Sequence, residues 1–224
     1  GYGPTAGAAL AAHPDVDKIA FTGETSTGQE VARGAISNLK LVTLELGGKS
    51  PHIIFDDVDV DRAVANAMFG IFTNCGQICT SGSRIFVHER IHDEFVEKLV
   101  ARAKAIRIGD PFDPMTQLGP LVSQEQFDRV SSYVKIGREE GAKMLCGGKR
   151  PDGAQYAKGQ YFEPTVFVDV DNRMRVAQED ERVIGLWMLD GFSYPTSKSR
   201  LQRYLRLLER NPAGTLASWV TWPW

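Results

Sequence analysis

The sequence predicts an α/β fold built on parallel strands. Three observations carry that expectation. Short β-prone runs alternate with stretches of helical periodicity up to about residue 180. Several of the strand-like runs stop at glycine. The composition of the 224 residues, 42% hydrophobic and 24% charged, is that of an ordinary globular chain long enough for one large domain or a domain and a half.

Asp17–Phe21 reads as a strand broken by Thr22-Gly23, and Thr25–Ala35 as a helix. Leu41–Leu46 is a second strand, ended by Gly47-Gly48. Ile53–Phe55 is a third, after which Asp59 caps a helix running to about Phe72. Ser83–His88 reads as a strand. His92–Ile106 is an amphipathic helix with Phe95, Leu99 and Ala103 on one stripe. Ser123 caps a further helix carrying Phe127, Val130 and Val134. Lys143–Cys146, closed by Gly147-Gly148, and Pro164–Val170 complete the strands. No internal repeat or low-complexity segment is present. The opening residues, beginning at Gly1, read as an element connection, which suggests a fragment.

The net charge of -2 gives no reason to expect nucleic acid or an anionic membrane as partner, and no apolar run approaches the ~20 residues of a membrane span. Gly1–Ala12 lacks the basic start and apolar core of a signal peptide. Cys75, Cys79 and Cys146 form no disulfide framework, and no Cys/His set has zinc-site spacing, so no metal is expected and a reducing cytoplasm is. The last stretch differs in kind. All four tryptophans fall in 182–224, with six of the 26 basic residues and two of the 28 acidic ones. This region reads as an aberrant tail, with a possible amphipathic helix over Ser199–Asn211.

Three segments hold candidate chemistry. Leu44-Glu45-Leu46-Gly47-Gly48 puts a carboxylate at a strand end where the backbone can come close to a ligand. Asn74-Cys75-Gly76-Gln77-Ile78-Cys79 sets two thiols in a glycine-bearing loop between helix and strand. Taken alone, either is more often a buried hydrophobe than a nucleophile, and their spacing does not suit a redox pair. Phe21-Thr22-Gly23-Glu24-Thr25-Ser26-Thr27-Gly28 offers a glycine turn and a helix start to a phosphate. The opening Gly1-Tyr2-Gly3-Pro4-Thr5-Ala6-Gly7 is not the dinucleotide fingerprint, because its third glycine comes one residue late and a proline intervenes.

In order and spacing the three segments resemble the NAD(P)-dependent aldehyde dehydrogenase superfamily. The resemblance extends over about residues 1–180, through Asn38-Leu39-Lys40, Gly109-Asp110-Pro111, Leu118-Gly119-Pro120, Cys146-Gly147-Gly148 and Phe162-Glu163-Pro164-Thr165-Val166. It implies a partial Rossmann-type cofactor domain over 1–46 and a catalytic α/β domain with a parallel sheet over 47–181, with the tail 182–224 after it. It implies Cys79, from the Gly-Gln-x-Cys segment, as the nucleophile toward an aldehyde, and Glu45 as the base that activates water against the thioester. The backbone N–H of Cys79 would be one oxyanion donor. For NAD or NADP it implies the turn of Gly23, Glu24, Thr25 and Gly28 at the pyrophosphate and Leu46 near the nicotinamide. Gly3 and Gly7 would lie toward the adenosine and Gln126 at a ribose, with Lys49 and Arg84 as support. A small-molecule aldehyde is the implied partner, and a dimer or tetramer the implied assembly of the full-length form.

The chain departs from that pattern twice. The family's second oxyanion donor is an Asn upstream of Gly1. After Glu179 the family's Glu-x-Phe-Gly-Pro is replaced by Asp180-Glu181-Arg182-Val183-Ile184, so no ribose-holding Glu carries over. These departures make an inactive fragment or binding remnant the alternative expectation. A CoA-acylating relative is disfavoured because Glu45 is present.

Overall fold

In the computed structural model, residues 1–178 and the backbone of 187–192 are described. They fall into two compact units, Gly1–Gly48 and a second beginning at Lys49.

The first unit opens with a wide helical turn, Gly3–Gly7, that runs into helix α1, Ala8–Ala12. The opening is therefore helical rather than a connection. Pro4 suits a first helical turn, where its missing N–H costs nothing, and the alanines of α1 are strong helix formers. Strand β1 (Lys18–Thr22), helix α2 (Thr25–Ala35) and strand β2 (Leu41–Glu45) make a strand–helix–strand unit, with β1 and β2 parallel from Lys18↔Leu41 to Thr22↔Glu45. Lys40 ties its lower end together. The buried ammonium donates to the carbonyls of Ala11 (2.6 Å) and His13 (2.8 Å), satisfying groups that the end of α1 leaves open. Asn38 Nδ2 donates to the carbonyls of Pro14 (2.8 Å) and Val16 (3.1 Å) in the loop that follows. Little of this unit is buried, and Leu39, Leu41, Ile36 and Leu10 are all more than half exposed.

The second unit holds strands β3 (Pro51–Ile54), β4 (Arg84–His88), β5 (Lys143–Cys146), β6 (Val166–Val168) and β7 (Trp187–Phe192), and helices α3 (Val60–Phe72), α4 (His92–Lys104) and α5 (Gln124–Glu139). The sheet order is β3-β4-β7-β6-β5. Asp59 and Ser123 cap α3 and α5 by accepting from the amides of Arg62 (2.8 Å) and Gln126 (3.1 Å). Phe95, Leu99 and Ala103 on α4 are fully buried with Val64, Ala67 and Ile71 of α3 against Ile85 and Val87. On β6, Val166 and Val168 face this cluster. Phe167 faces a second one with Val130 and Val134 of α5, so alternate residues of one strand serve two cores.

Two findings depart from the sequence-based expectation. β5 runs antiparallel to β6, with an irregularity between Met144 and Cys146, so the sheet is mixed. Gly147 and Gly148 follow at φ +75° and +82°, and an added Cβ at Gly147 would lie 2.1 Å from the Pro164 carbonyl oxygen. Only glycine lets the chain turn back this closely. Second, Trp187–Phe192, inside the segment expected as tail, is β7, parallel to both β4 and β6. The helix expected over Ser199–Asn211 lies outside the described residues.

Candidate active site

The site residues lie in both units. In the first, β1 and β2 end side by side at Thr22 and Glu45, and the Gly23 amide donates to the Glu45 carbonyl at 3.0 Å. The chain then turns into α2, whose first turn holds Thr25 and Gly28, with the Gly28 amide on the Glu24 carbonyl at 2.9 Å. Gly28 is buried, and a Cβ there would stand 2.6 Å from a methyl of Leu46. Glycine thus lets the residue after Glu45 lie against the first turn of α2. Glu45 itself is exposed. The two strands of its sheet pair only with each other among the described residues, so no third strand walls the end of β2. Gly3 and Gly7 are exposed in the opening helical segment, with nothing within 4 Å of an added Cβ. No neighbour within the described residues requires glycine at either position.

In the second unit the cysteine loop follows α3 through a tight turn, Thr73–Gly76. Asn74, Cys75 and Gly76 are consecutively left-handed, at φ 51°, 57° and 70°. For Asn74 and Cys75 this conformation costs ~1–2 kcal/mol each, so the surroundings must hold it. They do. Thr73 Oγ1 donates to the Phe69 carbonyl (2.6 Å), Asn74 Nδ2 to the Gln77 carbonyl (3.2 Å), and the Gln77 amide to the Asn74 carbonyl (3.0 Å). Cys75 is half-buried, its thiol near the carbonyl oxygens of Gly119 (3.4 Å) and Pro120 (3.7 Å). Burial pushes that thiol's pKa up, which favours the protonated form. Of the two thiols in the loop, only Cys79 is exposed.

Beyond Cys79, Ser81 is buried with its hydroxyl toward the Gly76 carbonyl (3.4 Å), and the Gly82 amide reaches the Gly70 carbonyl (3.3 Å). Gly82 lies on His52 of β3, where an added Cβ would be 3.2 Å from His52 Cβ. Burial lowers the pKa of His52, favouring the neutral ring. Arg84 Nε donates to the Lys49 carbonyl (2.8 Å), joining the start of β4 to the start of the second unit, and Lys49 is buried. Gln126 is buried in the first turn of α5, and its Oε1 has no hydrogen-bond partner among the described residues. Sequence reasoning missed His52 and the left-handed trio. The only signal for the trio was Asn and Gly two apart, residue types that tolerate this conformation. Among the described residues no group of three His, Cys, Asp or Glu is placed to hold a metal ion, and no helix is long and apolar enough to cross a membrane.

The first unit thus carries a glycine turn entering a helix and a carboxylate closing the neighbouring strand, and the second an exposed thiol on a braced loop. The chain belongs to the aldehyde dehydrogenase family, whose profile matches residues 1–181. It is 55% identical over 182 residues to the mitochondrial aldehyde dehydrogenase of Mesocricetus auratus, covering 80% of this chain and 35% of that protein. The crystal structure of a putative aldehyde dehydrogenase from Burkholderia cenocepacia superimposes with a TM-score of 0.84 at 48% identity, over 87% of this chain and 40% of that one. Betaine aldehyde dehydrogenase from Staphylococcus aureus, solved in complex with NAD+, gives 0.83 at 40% identity, over 87% and 38%. The chain thus spans about a third of the length of the curated relatives it matches. The α/β fold, with parallel strands and a Rossmann-like first unit, is that of this family.

Proposed function

We propose that the protein containing this chain oxidises an aldehyde to a carboxylic acid, with Cys79 as nucleophile and Glu45 as general base. The observation that carries this reading is the contrast between the two thiols of one loop. Cys75 is anchored and held protonated by burial, while Cys79 is exposed. The Cys79 sulfur adds to the aldehyde carbonyl, and the negative charge that develops on oxygen falls to nearby N–H donors, including that of Cys79 itself. The hydride acceptor for this carbon would be supplied by NAD or NADP, which the turn of residues 23–28 would hold. A thioester remains on Cys79. Glu45 removes a proton from the water that attacks it, the acid departs, and the thiolate is restored.

The first unit's residues fit a dinucleotide. Gly23, Glu24, Thr25 and Gly28 form a turn and helix start of the kind that receives phosphate, and Leu46 packs where it could border a nicotinamide. Gly3 and Gly7, with nothing within 4 Å of an added Cβ, leave room for close approach. NAD+ bound in the Staphylococcus relative supports NAD over NADP. The three free cysteines suit a reducing compartment such as the cytoplasm, and a homo-oligomeric assembly is part of this reading.

The test is aldehyde-dependent NADH formation. Cys79→Ala is expected to abolish it. Glu45→Gln is expected to preserve a single-turnover burst of NADH and slow steady turnover by ~100-fold or more, because only thioester release needs the base. Normal turnover in Cys79→Ala refutes the nucleophile; equal loss of burst and steady rate in Glu45→Gln refutes the base.

A further inference from the structure

The Gln77 side chain has no part in the chemistry above, yet it makes a contact that spans 45 positions in sequence. Its Oε1 accepts from the backbone amide of Val122 at 3.1 Å. That donor is fixed. Leu118 and Leu121 are buried, the Leu121 amide donates to the Gln160 carbonyl (2.9 Å), and the Gly109 amide to the Leu118 carbonyl (3.1 Å). The Val122 side chain is 78% exposed, so its amide rather than its side chain carries the contact. The cysteine loop touches this segment at two places, the Cys75 thiol on Gly119 and Pro120 and the Gln77 carboxamide on Val122. Of the two, Gln77 is nearer in sequence to Cys79, and its own amide and carbonyl are bound to Asn74. The Gly76 and Ile78 carbonyls accept locally, from the hydroxyl and the amide of Ser81.

We propose that Gln77 is a positioning residue for Cys79, pinning the cysteine loop to the Leu118–Val122 segment so that a carbonyl adding to the thiol meets backbone donors in fixed places. The proposal rests on the reading of Cys79 as nucleophile. Carbonyl addition is sensitive to such placement, since the attack angle and the oxyanion donors must both be right. Displacement of iodide from iodoacetamide generates no oxyanion and is largely indifferent to it.

The experiment compares two reactions of the same sulfur on the full chain. With p-nitrophenyl acetate, the Cys79 thiolate forms a C–S bond to the acetyl carbon, the ester C–O bond breaks, and p-nitrophenolate leaves with the electron pair. With iodoacetamide, the C–S bond forms as iodide departs. Peptide mass spectrometry assigns both to Cys79. Gln77→Met keeps the side chain's length and removes the acceptor; it is expected to slow acylation by about tenfold or more while alkylation stays within about twofold. Val122→Pro removes the donor and should give the same loss, with no further loss in the double variant. If Val122→Pro does not fold, Gln77→Met decides alone. Acylation unchanged in Gln77→Met, or acylation and alkylation falling together, overturns the positioning role and leaves Cys79 as nucleophile untouched. A parent chain whose Cys79 acylates no faster than N-acetylcysteine, while alkylating normally, overturns the nucleophile reading and this proposal with it.

Discussion

Cys75 and Cys79 share a loop but not an environment. Cys75, set against two carbonyls, and Cys146 are both half-buried, and burial pushes both thiols up in pKa. Cys79 alone of the three is exposed. Limited iodoacetamide at neutral pH should therefore label Cys79 first, by about tenfold or more, as mapped by peptide mass spectrometry. Labelling of Cys75 first would mean that the left-handed turn is not held closed. Glycine at 147 matters for a different reason. Gly147→Ala adds both a 2.1 Å clash with the Pro164 carbonyl and a left-handed alanine. It should cost ~2–3 kcal/mol in urea unfolding, and a neutral result would show that the β5–β6 connection can relax. The Cys-Gly-Gly motif was visible in the sequence; the distant Pro164 carbonyl that it must avoid was not.

At the scale of elements, local chemistry and burial act together. Phe95 and Leu99 put one face of α4 into the core that α3 and β4 share. Leu99→Ala should cost ~3–5 kcal/mol, and Asp59→Ala, which removes only the cap of α3, ~1 kcal/mol. Urea midpoints read both, and equal losses would contradict the burial pattern. The helices α2 to α5 were legible because their signals are local: caps at Asp59 and Ser123, and an apolar stripe at 95, 99 and 103. Helix α1 was missed because Gly3 and Pro4 read as turn residues, although Pro4 is acceptable in a first helical turn. The antiparallel run of β5 and the existence of β7 depend on partners far away in the chain, and no spacing within either strand announces them. The position of Glu45 at the end of β2 was likewise legible, and its exposure was not, since it depends on what else flanks the strand.

At the scale of the whole molecule, pH acts through two sets of groups. His52 is held neutral by burial, so its pKa in the fold lies below the unfolded value of 6.5. The unfolded chain then binds the extra proton first, and stability present above about pH 6.5 is lost as pH falls toward the lowered folded value. The carboxylates act further down. Asp171, beside Arg173, is lowered to about 2; Asp61, beside Lys98, and Glu140, beside Arg175, are lowered too. Their contribution is present above the unfolded carboxylate range and lost as pH falls through the depressed values, and it is small because all three are solvent-screened. Urea midpoints should drop between about pH 7.5 and 5.5, and His52→Gln should flatten that drop; an equal drop in the variant would assign it to other groups.

Strand β7 closes the sheet between β4 and β6, yet of the five strands it comes last in the chain. On the ribosome, β3 and β4 emerge early and β5 and β6 later, each pair ending in an unpaired strand edge until residues 187–192 have cleared the exit tunnel. An unpaired edge is a template for another chain. A nascent chain stalled before Trp187 would carry two such edges at once, and chaperone capture should be strongest in that interval and fall when the Trp187–Phe192 segment arrives to fill the gap.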